Sequence, residues 1–192
     1  CVLAPFLFNI YLAKLSVDLN KEWGHSPKIM DCTLSNLMYA DDIVLVSHTK
    51  VGLQRLIDCL VKYSDMHALI INLNKTKIMT VTKTRKLKLS WYLKGTQLDR
   101  VNEYKYLGVI FDARVTFKQH NEMLRKKANT LGFAFCKLRT KVMGPSLEPF
   151  LKVMEAKLVP SLTYGAEALR GKNARVLDTL LAKIYRQVFA SQ

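Results

Sequence analysis

Acidic residues are scarce in this chain: 15 Asp and Glu stand against 30 Lys and Arg, a formal net charge of +15 over 192 residues. Its four cysteines, Cys1, Cys32, Cys59 and Cys136, lie far apart with no C-x-x-C spacing. That excludes a disulfide framework or a zinc site and leaves reduced thiols. The histidines His25, His48, His67 and His120 are equally scattered, and none pairs with another His or a Cys at ligand spacing. The apolar stretch 2–15 is interrupted by Pro5, Asn9 and Lys14 and follows no basic segment, so it fits neither a signal peptide nor a membrane span. There is no internal repeat and no low-complexity tract. The expectation is a nuclear or cytoplasmic location with no membrane partner.

A hydrophobic content of 49% is enough for a real core, and 192 residues make one large domain or two small ones. The chain opens on Cys1 and runs at once into apolar residues, which suggests a piece of a longer, polyprotein-like product. Its charge is asymmetric. Residues 1–60 carry five Lys/Arg and six Asp/Glu, 61–130 carry 15 and five, and 131–192 carry ten and four. A polyanion such as nucleic acid would be gripped by the later part.

The pattern centres on Leu37-Met38-Tyr39-Ala40-Asp41-Asp42-Ile43-Val44-Leu45-Val46. Strand-forming residues flank two adjacent acids, which predicts a β-hairpin with its tight turn at or beside Asp41-Asp42. Aspartate favours turns, so a solvated turn is one reading. The other is a metal site, because both arms look buried and two close carboxylates repel. Mg²⁺ relieves that repulsion, taking one or two protein carboxylates along with phosphate oxygens and water.

Upstream, Pro5 suits a first helical turn, and Leu7, Phe8, Tyr11, Leu12 and Leu15 fall on one helical face. Residues 20–35 read as a connecting loop. Thr49 is an N-cap for an amphipathic helix ending near His67. Residues 69–81 read as two short strands around an Asn-rich turn with Lys75 at the bend. The run 83–88 is strongly basic, and Leu87, Leu89, Trp91 and Leu93 alternate like a half-exposed strand until Gly95 breaks it. A further strand begins at Tyr104, where Gly108 allows close backbone approach. The rest reads as helix: Thr116 and Gln119 make a capping-box pattern. Leu124, Ala128, Leu131, Phe135 and Leu138 form an apolar stripe, with Arg125-Lys126-Lys127 on the other side. Gly144-Pro145 breaks this helix, Pro160 breaks the next, and a last helix runs from about Ala174 to Phe189.

Four blocks in this order resemble the reverse transcriptase of non-LTR retrotransposons (long interspersed elements). Val2-Leu3-Ala4-Pro5-Phe6-Leu7-Phe8-Asn9-Ile10-Tyr11-Leu12 is similar to the family's block of Gly-x-x-x-Ser-Pro-x-Leu-Phe type, and Tyr39-Ala40-Asp41-Asp42 to its Tyr-x-Asp-Asp box. Ile71-Asn72-Leu73-Asn74-Lys75-Thr76 is similar to its Asn-x-x-Lys-Thr block, and Tyr106-Leu107-Gly108 to its Tyr-Leu-Gly block. Three departures stand out. The first block lacks its glycine and has Ala4 where serine is common. Ala68 replaces a usual glycine. No residue matches the family's upstream catalytic aspartate, since Asp18 and Asp31 fall on a helix and in a loop, in the wrong order relative to the blocks.

The resemblance implies an α+β fold, with a partial polymerase palm over 1–115 and a helical, thumb-like region over 116–192. It implies RNA-directed DNA synthesis from deoxynucleoside triphosphates on an RNA template and DNA primer. Two Mg²⁺ ions, or Mn²⁺, would sit at Asp41 and Asp42. Lys75 would be a proton donor to pyrophosphate. Ala4, Pro5 and Tyr39 would lie near nucleotide and primer, Tyr106, Leu107 and Gly108 would position the primer end, and Arg125, Lys126 and Lys127 would meet backbone phosphates. Lacking the upstream aspartate, the chain is expected not to polymerise alone. The alternative is a basic, non-catalytic nucleic-acid-binding relic or domesticated fragment.

Overall fold

The computed structural model describes residues 3–22, 25–82, 89–142, 147–169 and 172–189. The basic run 83–88, Trp23-Gly24 and the Gly144-Pro145 break lie outside the described residues. The chain forms two compact units: Cys1–Ile78 with Thr84–Val101, and Met79–Lys83 with Asn102–Gln192. Helices and small antiparallel sheets mix in an α+β arrangement.

The first unit opens with α1 (Ala4–Lys21), which has Pro5 in its first turn. Its buried line runs through half-buried Phe8 to Leu12, Leu15 and Leu19. Leu7, expected on this face, is 59% exposed together with Leu3, Phe6 and Ile10. The 20–35 region is more than a loop: β1 (Lys28–Ile29) and β2 (Cys32–Thr33) pair in a tight hairpin. Next come β3 (Asn36–Tyr39) and β4 (Asp42–Leu45), then α2 (Lys50–Met66). As its sequence predicts, α2 is capped by Thr49, whose side-chain oxygen accepts from the Gly52 N–H at 3.0 Å.

Two small cores use different faces of α2. Leu56 and Tyr63 pack with α1 and the inner side of the β3–β4 hairpin, whereas Ile57 joins Ile78, Trp91, Leu93 and Leu98. The Tyr63 hydroxyl donates to the Tyr11 carbonyl, and the Tyr11 hydroxyl to the His67 carbonyl, tying α1 to the end of α2.

Residues 69–71 form no strand, and Ile70 is 96% exposed. The cause is local. The Asn72 carbonyl accepts from the Lys75 and Thr76 N–H groups and from the Thr76 hydroxyl, while Asn72 Oδ1 also takes the Lys75 N–H. Such side-chain and turn bonds compete with strand pairing. The second expected strand survives as β5 (Ile78–Met79). Trp91 and Leu93 are buried and Tyr92 half-exposed, the predicted alternation. Gly95 does not end the structure there: with Lys94 it turns β6 (Tyr92–Leu93) back into β7 (Thr96–Gln97). β8 (Arg100–Val101) closes the unit.

The second unit starts with a hairpin of β9 (Glu103–Tyr106) and β10 (Val109–Asp112), joined by Leu107-Gly108 with φ of 44° and 82°. What reads as one strand is therefore two, because the left-handed pair reverses the chain. Helices α3 (Lys118–Val142), α4 (Leu147–Thr163) and α5 (Lys172–Phe189) follow, with a short 3-10 turn at Ala166–Ala168. Leu124, Ala128 and Phe135 of α3 meet Phe150, Met154, Leu158 and Leu162 of α4, and Leu177, Leu180, Ile184 and Val188 of α5. Each of the larger side chains here, fully buried, contributes roughly 1.5–3 kcal/mol.

Two helix boundaries differ from the sequence reading. Pro160 lies inside α4 rather than ending it. It sits on the exposed side, where water can serve the carbonyl that its missing N–H leaves open, while Leu158 and Leu162 hold the turn in the core. Thr116 and Gln119 form no capping box. Thr116 instead donates its hydroxyl to Asp112 Oδ2 at 3.0 Å, and the same oxygen accepts the N–H groups of Thr116 (2.9 Å) and Phe117 (2.7 Å). Asp112 Oδ1 takes the Arg114 N–H at 3.0 Å. One carboxylate thus folds the connection that leads into α3.

Candidate functional site

The paired aspartates stand at the tip of the β3–β4 hairpin. Its register sets Asn36 against Leu45, Leu37 against Val44, Met38 against Ile43 and Tyr39 against Asp42. Ala40-Asp41 is thus the two-residue turn, and Asp42 is the first residue of the returning strand. Ala40 has φ of 51°, the left-handed region that L-residues rarely enter. Side chains alternate across the pleat, so Met38, Ile43 and Leu45 pack inward on α1 and α2. Leu37 and Tyr39 face out, 44% and 64% exposed. The arms are buried on one face only, and the tip is in solvent rather than against a core.

A polar knot holds the base of the hairpin to α1. Asn20 Oδ1 accepts from Ser35 Oγ (2.5 Å) and Asn36 Nδ2 (3.2 Å), and Ser16 Oγ donates to Asn36 Oδ1 (3.3 Å). Ser35 is 1% exposed, so this bonding satisfies a buried hydroxyl. The knot anchors the strands while leaving the acidic end free.

Asp41 and Asp42 are both exposed, and neither carboxylate has a hydrogen-bond or ion-pair partner among the described residues. Among those residues no group of three or more His, Cys, Asp or Glu side chains could hold a metal ion. The donors that are present fit Mg²⁺ chemically: they are the hard oxygens of two carboxylates, in a place where phosphate and water can complete a shell. By themselves they could supply only part of such a shell.

The other expected residues are spread over both units. Ala4 and Pro5 form the exposed first turn of α1, and Lys75 closes the Asn72–Lys75 turn; both lie in the first unit. Tyr106, Leu107 and Gly108, at the end of β9 and its turn, belong to the second. Arg125, Lys126 and Lys127 are all exposed on α3, yet they do not make one patch. Lys127 Nζ donates to the Ser161 carbonyl of α4 at 2.7 Å. Arg125 instead lines a groove of about 430 Å³ with Asn129, Arg175, Thr179 and Lys183. Lys183 Nζ donates to Asn129 Oδ1 at 3.1 Å, and none of the three groove cations has an acidic partner among the described residues.

Sequence reasoning passed over Arg175, Thr179 and Lys183, although their i, i+4, i+8 spacing on α5 was readable. It also passed over Tyr164, whose hydroxyl donates to the Leu107 carbonyl at 2.8 Å. Only the neighbouring Gly165 hinted at it.

The sequence profile of the family described as reverse transcriptase (RNA-dependent DNA polymerase) matches residues 1–111. The chain belongs to the reverse transcriptase family. It is 31% identical over 120 residues, 58% of its length, to the retrovirus-related Pol polyprotein from the type-2 retrotransposable element R2DM of Drosophila melanogaster. Over 97% of its length it is 27% identical to the RNA-directed DNA polymerase from the mobile element jockey of Drosophila funebris. It is 24% identical, again over 97%, to the Pol polyprotein from the type-1 retrotransposable element R2 of Popillia japonica. Within its family the chain is thus of the non-LTR, LINE type. It spans 11%, 21% and 31% of those three relatives' lengths. Among the described residues no helix is long and apolar enough to cross a membrane.

Proposed function

We propose that this chain is part of an RNA-directed DNA polymerase that extends a DNA primer on an RNA template. Residues 1–115 would form part of the palm and 116–192 a thumb-like region. The observation that carries the reading is the hairpin tip, where Tyr39-Ala40-Asp41-Asp42 presents to solvent two carboxylates without a partner among the described residues, in a member of this family.

Asp41 and Asp42 would hold the divalent ions, Mg²⁺ or Mn²⁺, with Asp41 as the main ligand. An ion held by Asp41 and Asp42 would supply Lewis-acid chemistry there, favouring ionisation of the primer 3′-hydroxyl and offsetting charge on the attacking and leaving oxygens. Tyr39, on the outer face beside Asp42, would border the primer terminus, with Ala4 and Pro5 near the template and the incoming deoxynucleoside triphosphate. Lys75 would supply a proton to the departing pyrophosphate. Tyr106, Leu107 and Gly108 would position the primer strand, and the cations of α3 would neutralise phosphates of the duplex.

Two carboxylates are fewer than this chemistry uses, so the 192 residues alone are expected to give no primer extension with Mg²⁺. A longer product carrying a third carboxylate is expected to extend the primer, and Asp41→Asn to abolish that activity. Extension by the isolated chain, lost in Asp41→Asn, would sink the claim of incompleteness. Extension by the longer product that survives Asp41→Asn would sink the site. The same count of carboxylates favours a second reading, a basic binder without catalysis. Salt-dependent nucleic-acid binding unchanged by Asp41→Asn, with no extension in either form, would select it.

A further inference from the structure

The Leu107-Gly108 turn and the end of α4 fit each other reciprocally. The Tyr164 hydroxyl donates to the Leu107 carbonyl at 2.8 Å, so a phenol 57 residues away closes on the turn's own backbone. The Tyr164 ring lies over Gly108: a Cβ built there would stand 2.9 Å from Tyr164 Cε1. The next residue repeats the relation in reverse. A Cβ on Gly165 would stand 2.5 Å from Val109 Cγ2, and Val109 is buried in the helical core. Both glycines have left-handed backbone, φ of 82° and 76°, so each position excludes a side chain by conformation as well as by space.

Leu107 shares that left-handed region at φ 44°, which for a leucine is a strained state that its surroundings must hold. The Tyr164 bond falls on the carbonyl of that very residue. Yet Tyr164 is 59% exposed, so its ring contributes little to the core. Its contacts with the turn are what remain for it to do.

We propose that Tyr164 is a positioning residue, a latch that holds the Leu107-Gly108 turn in the shape a primer 3′ end meets. This rests on the reading above that Tyr106, Leu107 and Gly108 position the primer. Tyr164 acts through the turn and touches no reacting atom. Loss of one ordinary hydrogen bond corresponds to about a threefold to tenfold change in an equilibrium, and that is the size of the expected effect.

The test uses the full chain and two DNA–RNA duplexes of equal length, one with a recessed primer 3′ end bearing 2-aminopurine and one blunt. Affinity for each is measured by fluorescence anisotropy and end engagement by 2-aminopurine emission. The unaltered chain is expected to prefer the recessed end. Tyr164→Phe keeps the ring and removes the donor. It should lower that preference about threefold to tenfold while leaving the blunt-duplex affinity and thermal midpoint unchanged. Gly165→Ala, which displaces Val109 from the other side, should lower the preference as well. A full preference retained in Tyr164→Phe overturns the latch alone. No preference in the unaltered chain overturns the primer role of the turn, and the latch with it.

Discussion

Tyr39 and Asp42 stand directly opposite each other across the β3–β4 hairpin, on the face turned away from α1 and α2. Opposed residues in such a pair hold their Cβ atoms about 5 Å apart. An exposed phenol thus lies beside a carboxylate that has no cationic partner among the described residues. Mn²⁺ at substoichiometric amounts is expected to broaden the amide NMR signals of residues 39–43 before any others. Asp41→Asn combined with Asp42→Asn should remove that selectivity. Equal broadening at Asp58 and Asp65, which line a separate groove beside α2, would show that the hairpin tip has no preference for the ion.

Ala40 carries the strain of the same turn. Its φ of 51° lies where a side chain meets the following carbonyl, a cost of roughly 1–2 kcal/mol. Ala40→Gly should therefore stabilise the first unit by about 1 kcal/mol, after allowance for glycine's greater freedom in the unfolded chain. Urea unfolding followed by tryptophan fluorescence, which Trp23 and Trp91 both supply, reads this. A loss of stability would mean that the Ala40 methyl is needed where it stands.

The groove between α3 and α5 predicts which cations matter for nucleic-acid binding. Arg175→Gln with Lys183→Gln should lower the slope of log affinity against log salt by about two, because each phosphate contact releases about one counterion. Lys127→Gln should change it less, since that ammonium is already engaged by the Ser161 carbonyl. Titration of an RNA–DNA duplex between 50 and 200 mM salt, roughly the range over which such contacts weaken, separates the two. Equal slopes for the two variants would count against the groove.

His120 makes the second unit sensitive to mild acid. It is 1% exposed, its Nδ1 accepts the Ile110 N–H at 3.4 Å, and its Nε2 has no partner among the described residues. Burial pushes its pKa below the ordinary histidine value. Between that lowered value and the ordinary one the unfolded chain binds a proton that the folded chain refuses. Stability should therefore fall as pH drops through the ordinary histidine pKa, and level off below the folded one. His120→Leu should flatten this dependence in thermal melts from pH 7.5 to pH 5, about the window a histidine spans, even if it lowers stability throughout. A melt series as steep as that of the unaltered chain would rule His120 out.

Asp112 also makes stability fall as pH drops, but in the carboxylate range and through hydrogen bonds rather than burial. Burial raises its carboxyl pKa, but the N–H groups of Thr116, Arg114 and Phe117 and the Thr116 hydroxyl more than offset this and hold it below the usual carboxylate range. Its contribution is fully present above the unfolded carboxylate value and is lost as pH falls through the folded one. Asp112→Ala should cost about 2 kcal/mol, the order of a charge-assisted hydrogen bond, and loosen the start of α3. Hydrogen exchange at the amides of Thr116 and Phe117 checks it.

Local chemistry was legible wherever a residue's neighbours in sequence are its neighbours in space. Thr49 and the stripe behind it announced α2 almost to the residue. The apolar flanks of Asp41-Asp42 announced the hairpin, and Leu177, Leu180, Ile184 and Val188 lie on the buried face of the last helix. Failures came where two local signals competed. Residues 69–71 have strand-forming character, but the bonds of Asn72 won. Pro160 reads as a helix end, but the core contacts of Leu158 and Leu162 carried α4 past it.

The amino-acid order by itself determined the family, the acidic hairpin tip and the basic excess downstream, because each is written within a few residues or in composition. Tertiary structure alone decided that Arg125 faces Arg175 and Lys183 while Lys127 turns to Ser161. It alone decided that the Tyr164 phenol closes on the Leu107 carbonyl. Successive helical residues turn about 100° apart, so a run of three cations splits across a helix. Groups some fifty residues apart meet only when buried side chains such as Met154 and Ile184 have fixed how their helices pack.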